Sequence, residues 1–262
     1  MSIKKCILKL KTRDEIKKIK IAGKVASDLL YDKLDCFIKP GISTKSIDNF
    51  SEKYIRSFNM IPAFLGIKNI DGSNSFPASV CVSVNDEIVH GIPNDYKILK
   101  YGDIVSVDVG IIYKGYYCDA ARTYSVGKVD CIAKKLINVT ELSLYDGICK
   151  MLSGNKIGDI SNAIQKTVEK HGFFVIKDLV GHGIGKSLHE YPQVPNYGKS
   201  GVGIELLSGT VLAIEPMVSI SDCGIFMLND LWTIVTSDGS LSAHFEHTVA
   251  ITDNGYEILT KV

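Results

Sequence analysis

The chain has 262 residues, 45% hydrophobic and 23% charged, with a net charge of +1. These are ordinary globular proportions, which exclude a disordered chain and leave no global field to recruit DNA or an anionic membrane. The longest apolar runs fall far short of a membrane span, and the cysteines (Cys6, Cys36, Cys81, Cys118, Cys131, Cys149, Cys223) form no CxxC pair, so free thiols in a reducing cytoplasm are expected.

Lys4, Lys5, Lys9, Lys11, Arg13, Lys17, Lys18 and Lys20 make the start of the chain basic against only Asp14 and Glu15. No apolar stretch follows them, so they are not a secretory signal. The plain reading is a solvated helix face; the sharper one is transient docking to the RNA-rich surface of a ribosome. Thr12-Arg13-Asp14-Glu15 is a capping box, and Ile16, Ile19, Ala22, Ala26, Leu29 and Leu30 then recur at helical spacing. Pro40-Gly41 ends that unit, and Ser43 or Thr44 caps a second helix with Ile47, Phe50 and Tyr54 on one face.

From Ser79 the texture becomes β, in SVCVSVND, IVSVDVGIIY and YYCDAARTYSV. Helical patterning returns from about Cys131 to Met151, and Gly154 to Gly158 restarts a helix carrying Ile160, Ala163, Ile164 and Val168. Strand-like FFVIKDLV, VLAIEPMV, LWTIVT, HFEHTVAIT and YEILT follow. Several echoes connect the two parts. Gly41 leads to Ile47 as Gly154 leads to Ile160, and His90-Gly91-Ile92 recurs as His182-Gly183-Ile184. Gly102 stands before Asp108 as Gly209 stands before Glu215. Each half also ends with a second acid inside a strand, Asp119 and Glu246, and these four echoes in one order predict a duplicated α/β fold, with halves of about 12–128 and 129–262 related by a pseudo-two-fold in one compact domain.

Asp108, Asp119, His182, Glu215 and Glu246 stand in otherwise apolar strand-like runs. An isolated carboxylate buried there costs several kcal/mol, roughly, unless it is paired or bound to metal. A two-residue loop at Tyr113-Lys114 would set Asp108 directly opposite Asp119, and a bulge at Gly115 would shift that register by one. Two facing carboxylates repel unless a cation lies between them. Arg122 falls on the strand face opposite Asp119, Lys114 is at the turn, and VLAIEPMV contains no basic residue. Oxygen donors with one imidazole suit hard or borderline ions, and five ligands suit a pair of ions engaged in hydrolysis.

These residues, in this order, resemble the type I methionine aminopeptidases. The resemblance rests on NDEIVHGIP (85–93), SVDVGIIYKGYYCDAART (106–123), GHGIGKSLHEYPQV (181–194), AIEPMV (213–218) and SLSAHFEHTVAIT (240–252). It implies the pita-bread fold, α/β (α+β), with antiparallel sheet covered by helices. It also implies two divalent ions, drawn from Co, Mn, Fe, Zn and Ni, with a monovalent cation as an accessory. Asp108 would bind one ion, Asp119 and Glu246 would bridge the pair, and His182 and Glu215 would complete the other site. Glu215 would also take the proton from the attacking water. His189 would stabilise the oxyanion, and His90 would orient or protonate the leaving amine.

Taken alone, His90 could cap a backbone carbonyl and His189 could be a surface residue; beside the five ligands, roles in the site are the better reading. His244 shares Glu246's strand face, as a neighbour of the ligands, while His247 faces away and His171 ends a helix, where a cation suits the dipole. By the same resemblance Cys81, Trp232, Phe64, Phe76 and Leu188 border a methionine pocket, although each could equally be core. The chain departs from the usual pattern at IKNIDGSNSFP (67–77), at Phe64, where cysteine is common, and at Gly110, where some relatives carry a hydroxyl. No cysteine/histidine-rich segment precedes Thr12 and no long helical insertion separates His182 from Glu215, so the form implied is bacterial.

The activity implied is removal of the initiator methionine from nascent chains and peptides with a small second residue, by a monomer. A water shared by the two ions would attack the peptide carbonyl. Cleavage of Xaa-Pro bonds is a second enzymatic reading, disfavoured because such relatives carry an additional N-terminal domain. A binding module that has lost its metals is a third, and its sign would be broken ligands.

Overall fold

A computed structural model describes residues 8–69 and 72–261. Lys4, Lys5 and Cys6, together with Ile70 and Asp71 of the polar loop, lie outside the described residues. Helix α1 (Arg13–Asp28) opens on the expected capping box, with Thr12 and Glu15 satisfying each other's backbone N–H groups. It buries Ile16, Ile19, Ala22 and Ala26, then runs through a π-helical turn (Leu29–Lys33) into the short α2 (Leu34–Phe37). Ser43 caps α3 (Thr44–Ser57) by accepting from the Ser46 N–H. Asp130 caps α4 (Cys131–Ile148), which stops short of Met151, and α5 (Ile157–Lys170) follows.

The strands, in chain order, are β1 (Ile61–Pro62), β2 (Cys81–Val84), β3 (Glu87–Val89), β4 (Ile104–Tyr113), β5 (Tyr116–Ser125), β6 (Phe174–Val175), β7 (Val180–Gly183) and β8 (Glu190–Pro195). Then come β9 (Val211–Ile214), β10 (Met217–Ser219), β11 (Ile225–Met227), β12 (Ile234–Thr236), β13 (Ser242–His244), β14 (Glu246–Thr252) and β15 (Gly255–Ile258). A nine-stranded antiparallel sheet runs β1-β4-β5-β14-β9-β7-β8, with β2 on β4 and β15 on β14. Helix α1 packs on β4 and β5, and α4 packs on β13 and β14. The two halves therefore share one sheet, joined where β5 meets β14.

Backbone bonds repeat across the halves. Gly41 N–H donates to Leu99 O and Leu99 N–H to Ile42 O, as Gly154 donates to Leu206 and Leu206 to Asn155. Gly102 N–H donates to Val126 O and Val126 N–H to Asp103 O, as Gly209 donates to Ile251 and Ile251 to Thr210. The glycine echoes of the sequence thus mark equivalent corners, and Gly102 and Gly209 both take positive φ, 96° and 89°.

Four strand expectations differ, the simplest being HFEHTVAIT, which is two strands in two sheets, β13 and β14. The β4–β5 loop is Lys114-Gly115, with Tyr113 opposite Tyr116, so Asp108 faces Ala121 and Asp119 faces Gly110. Both loop residues have positive φ, 49° and 77°, as a type I′ turn demands, and glycine fits its second position better than its flank. The slip from the expected register is two residues, which keeps both acids on one face. VLAIEPMV breaks after Ile214, because Pro216 has no N–H for the ladder, and the chain passes from the large sheet into a small one, β13-β10-β6. FFVIKDLV is likewise two strands, separated at the polar Lys177-Asp178.

The basic N-terminal segment is also not a uniformly solvated face. Lys11 is paired with Glu190 at 2.8 Å in a buried position, and Arg13 is paired with Asp253. The Lys18 ammonium lies over the Tyr116 ring. The cysteines described are all free thiols. No helix among the described residues is long and apolar enough to cross a membrane.

Candidate metal centre

Two adjacent rungs of the large sheet carry the candidate ligands. In the first, Cys81 on β2 faces Asp108 on β4, Asp108 faces Ala121 on β5, and Ala121 faces Glu246 on β14. In the second, Gly110 faces Asp119, Thr248 binds Asp119 through backbone N–H and carbonyl, and Thr248 faces Ala213, which faces His182 on β7. Rung neighbours on one face lie close enough for their side chains to meet. Ala121 and Ala213, which stand between ligand positions on these rungs, are small and leave space above the sheet that larger side chains would fill.

Glu215 enters from the break between β9 and β10, its backbone carbonyl held by Asn196 Nδ2 at 2.9 Å. Its carboxylate oxygens lie 3.5 Å from His182 Nε2 and 3.5 Å from His244 Nε2. Donor atoms of Asp119, His182 and Glu246 all fall within 4.8 Å of one another, and Asp108 lies close enough to Asp119, Glu215 and His244 for all three to influence its ionisation. All five expected ligands therefore converge.

Burial disfavours the charged form of every carboxylate here. It raises Asp108 to about 6, with Glu215 adding to the effect, and Glu215 to about 8. Asp119 and Glu246 are pushed well above the usual range by burial and by the other acids. Among the described residues, no lysine or arginine pairs with any of the four; Arg122 turns to Asp35 and the rings of Tyr31 and Tyr124 instead.

Asp108 Oδ1 and Glu246 Oε1 are buried without a hydrogen-bond partner. His182 Nδ1 donates to Gly183 O at 2.9 Å, which leaves Nε2 as a lone pair facing Glu215, and burial lowers this histidine to about 3. Unsatisfied carboxylate oxygens around a neutral imidazole, with no lysine or arginine among the described residues to pair with them, fit divalent metal.

Around these ligands the other expected residues fall into two groups. His189 stands at the exposed rim, edge-on to the His182 ring with centroids 4.5 Å apart. His90 has a left-handed backbone (φ 59°), and its ring meets Trp232 edge-on at 6.4 Å. Burial lowers His90 to about 4, with His189 and His244 acting in the same direction. Phe64, Phe76, Cys81 and Leu188 are buried in one apolar cluster, against which Trp232 packs. Cys81 also sits opposite Asp108, so the cluster adjoins the acids.

His244 proves to be aimed at Glu215, whereas His247 turns away, to Thr260 and Tyr145, and His171 bonds Thr167 O within its own helix. Sequence reasoning missed the small residues Ala121 and Ala213, whose signal was their position on the acid face. It also missed the Lys11–Glu190 pair beside His189, which no local pattern announces.

A model of metallopeptidase family M24 matches residues 17–253. The methionine aminopeptidase of Clostridium acetobutylicum is 47% identical over 96% of this chain and 98% of its own length. The crystal structure of methionine aminopeptidase from Thermotoga maritima superposes with a TM-score of 0.93 at 46% identity, covering 98% of this chain and 100% of that one. An Xaa-Pro dipeptidase from Bacillus anthracis shares the fold, with a TM-score of 0.74 at 23% identity, but only 62% of that chain is covered.

Proposed function

This chain belongs to metallopeptidase family M24, and on that premise we propose that it removes the N-terminal methionine from peptides and nascent proteins with a small second residue. The observation that carries the reading is the convergence of Asp108, Asp119, His182, Glu215 and Glu246 on one buried, cation-free cluster. Asp108, Asp119 and Glu246 would hold a pair of divalent ions together with His182 and Glu215, and availability among Mn, Fe, Co, Zn and Ni would decide which are bound. Bound divalent ions supply Lewis acidity, making water more acidic and polarising a carbonyl.

The chain's own residues then divide the work. Glu215, flanked by two neutral histidines, accepts the proton of the attacking water. His189, at the rim, donates an N–H to the oxygen of the carbonyl as it becomes tetrahedral. Burial lowers His90 and so favours its neutral form, in which it orients the leaving amide by a hydrogen bond. The proton that the departing amine needs comes back from Glu215. The carboxylate cluster also attracts the free α-amino group, which confines the enzyme to chain ends.

Phe64, Phe76, Cys81, Leu188 and Trp232 offer apolar and sulfur-bearing walls for an unbranched thioether. Free thiols in a chain of this kind suit the cytoplasm. Near-complete coverage of the methionine aminopeptidase relatives favours this substrate over Xaa-Pro dipeptides. Turnover of Met-Gly-peptides against Xaa-Pro dipeptides tests the choice, and preference for the latter would overturn it.

A further inference from the structure

Gly110 lies on the acid face of β4, opposite Asp119 and two residues beyond Asp108. Its φ is not in the left-handed region, so the backbone does not require glycine there. Space does. A Cβ at this position would stand 2.5 Å from Phe64 Cε1, 3.0 Å from Phe64 Cδ1 and 2.9 Å from Ala63 Cβ. The Phe64 ring thus occupies the volume that a side chain at 110 would take, directly above the rung that holds Asp119.

The ring has little freedom to retreat. Its backbone is fixed to β4, with Ile61 opposite Ile112, Pro62 opposite Ile111, and the Ala63 N–H donating to Gly110 O at 2.9 Å. On its other side a chain of rings begins. Phe64 meets Phe76 edge-on at 6.5 Å, Phe76 meets Trp232 at 5.2 Å, and Trp232 meets His90 at 6.4 Å. A ring pushed off Gly110 therefore moves into the apolar cluster beside the ligands, and the displacement passes along the same contacts towards His90.

We infer that Gly110 is a specificity-determining position, and that Gly110 and Phe64 act as one interlocked unit that sets the width of the pocket for the first side chain of the substrate. This rests on the proposed methionyl specificity. Packing coupled in this way is read by a double-mutant cycle.

The test compares wild type, Gly110→Ala, Phe64→Leu and the double variant, all loaded with manganese, on Met-Ala-Ser and Leu-Ala-Ser peptides. Gly110→Ala raises KM for Met-Ala-Ser about tenfold with kcat nearly unchanged, a coupling of ordinary size for touching residues. Phe64→Leu alone increases the relative turnover of Leu-Ala-Ser, and the double variant returns KM for Met-Ala-Ser to near the wild-type value. Manganese affinity stays constant throughout, which separates a pocket effect from disturbance of Asp108 or Asp119.

A wild-type KM in Gly110→Ala, or a raised KM that Phe64→Leu does not relieve, overturns the inference. So does a loss of manganese affinity that accounts for the change. If Gly110→Ala does not fold, the inference requires that the double variant does, and failure of both to fold overturns it. Wild type that ignores Met-Ala-Ser altogether would instead refute the methionyl reading itself.

Discussion

The Glu215 carboxylate lies 3.5 Å from His244 Nε2, and that nitrogen is buried with no hydrogen-bond partner. On its other side the same carboxylate lies 3.5 Å from His182 Nε2. Glu215 thus sits between two imidazoles, with no lysine or arginine among the described residues to compensate its charge. Glu215→Gln preserves the shape but removes the base. The expected outcome is an unchanged melting transition and a loss of turnover of about 10²-fold or more. Rates close to wild type would take Glu215 out of the proton transfer.

His244 itself acts by position. Its Nε2 lies 3.5 Å from the Glu215 carboxylate, and a proton on that nitrogen would favour the ionised acid. In His244→Ala that support is gone, so the acidic limb of the pH–rate profile moves to higher pH, while KM for a methionyl peptide changes little. An unmoved profile would mean that His244 only fills space.

Metal-free protein has a definite pH response. The folded-state pKa of Glu215 is raised to about 8 by burial, and those of Asp119 and Glu246 are raised well above their usual range. A carboxyl raised in the folded state contributes stability that is complete below its unfolded pKa and is lost as pH rises through the folded one. Buried His90 and His182, lowered to about 4 and 3, oppose this trend only below the ordinary histidine pKa.

Between roughly pH 6.5 and 8 the acids act alone, and chelated protein should lose up to about 1.4 kcal/mol per pH unit for each proton retained by the fold. With manganese present the sign reverses, because ligation requires the deprotonated carboxylates. Thermal melts over this window, with chelator and with manganese, should slope in opposite directions. Parallel slopes would contradict the assignment of these acids as ligands.

The Lys11–Glu190 pair provides a test away from the acids. Both side chains are nearly inaccessible, at 6% and 3%, and Glu190 also accepts the backbone N–H groups of Lys186 and Ser187. Lys11→Met leaves a buried carboxylate without its cation, which should cost about 3 kcal/mol. Because Glu190 follows His189 in the chain, turnover should fall as well, while manganese affinity is retained. A melting temperature equal to wild type would show that the pair contributes nothing.

Much of the fold was written locally. The Thr12–Glu15 capping box, the periodicity of Ile16 to Leu30, the Ser43 cap and the glycine corners at Gly41, Gly102, Gly154 and Gly209 depend on near neighbours and on backbone geometry, and sequence alone determined them. It also singled out the acids of the candidate site, because carboxylates in apolar runs are costly enough to require a reason. Tertiary structure decided the rest. Which residues face each other across β4 and β5 depended on the turn at Lys114-Gly115, where the positive φ of the second position selected glycine over its neighbour.

The break at Glu215-Pro216 sends β9 and β10 into different sheets, a consequence of pairing with β14 and β13 that no single segment reveals. The aim of His244 at Glu215, the burial of Lys11 against Glu190 and the seating of Phe64 over Gly110 join residues far apart in the chain. Such contacts are set by packing and register, and no local propensity encodes them.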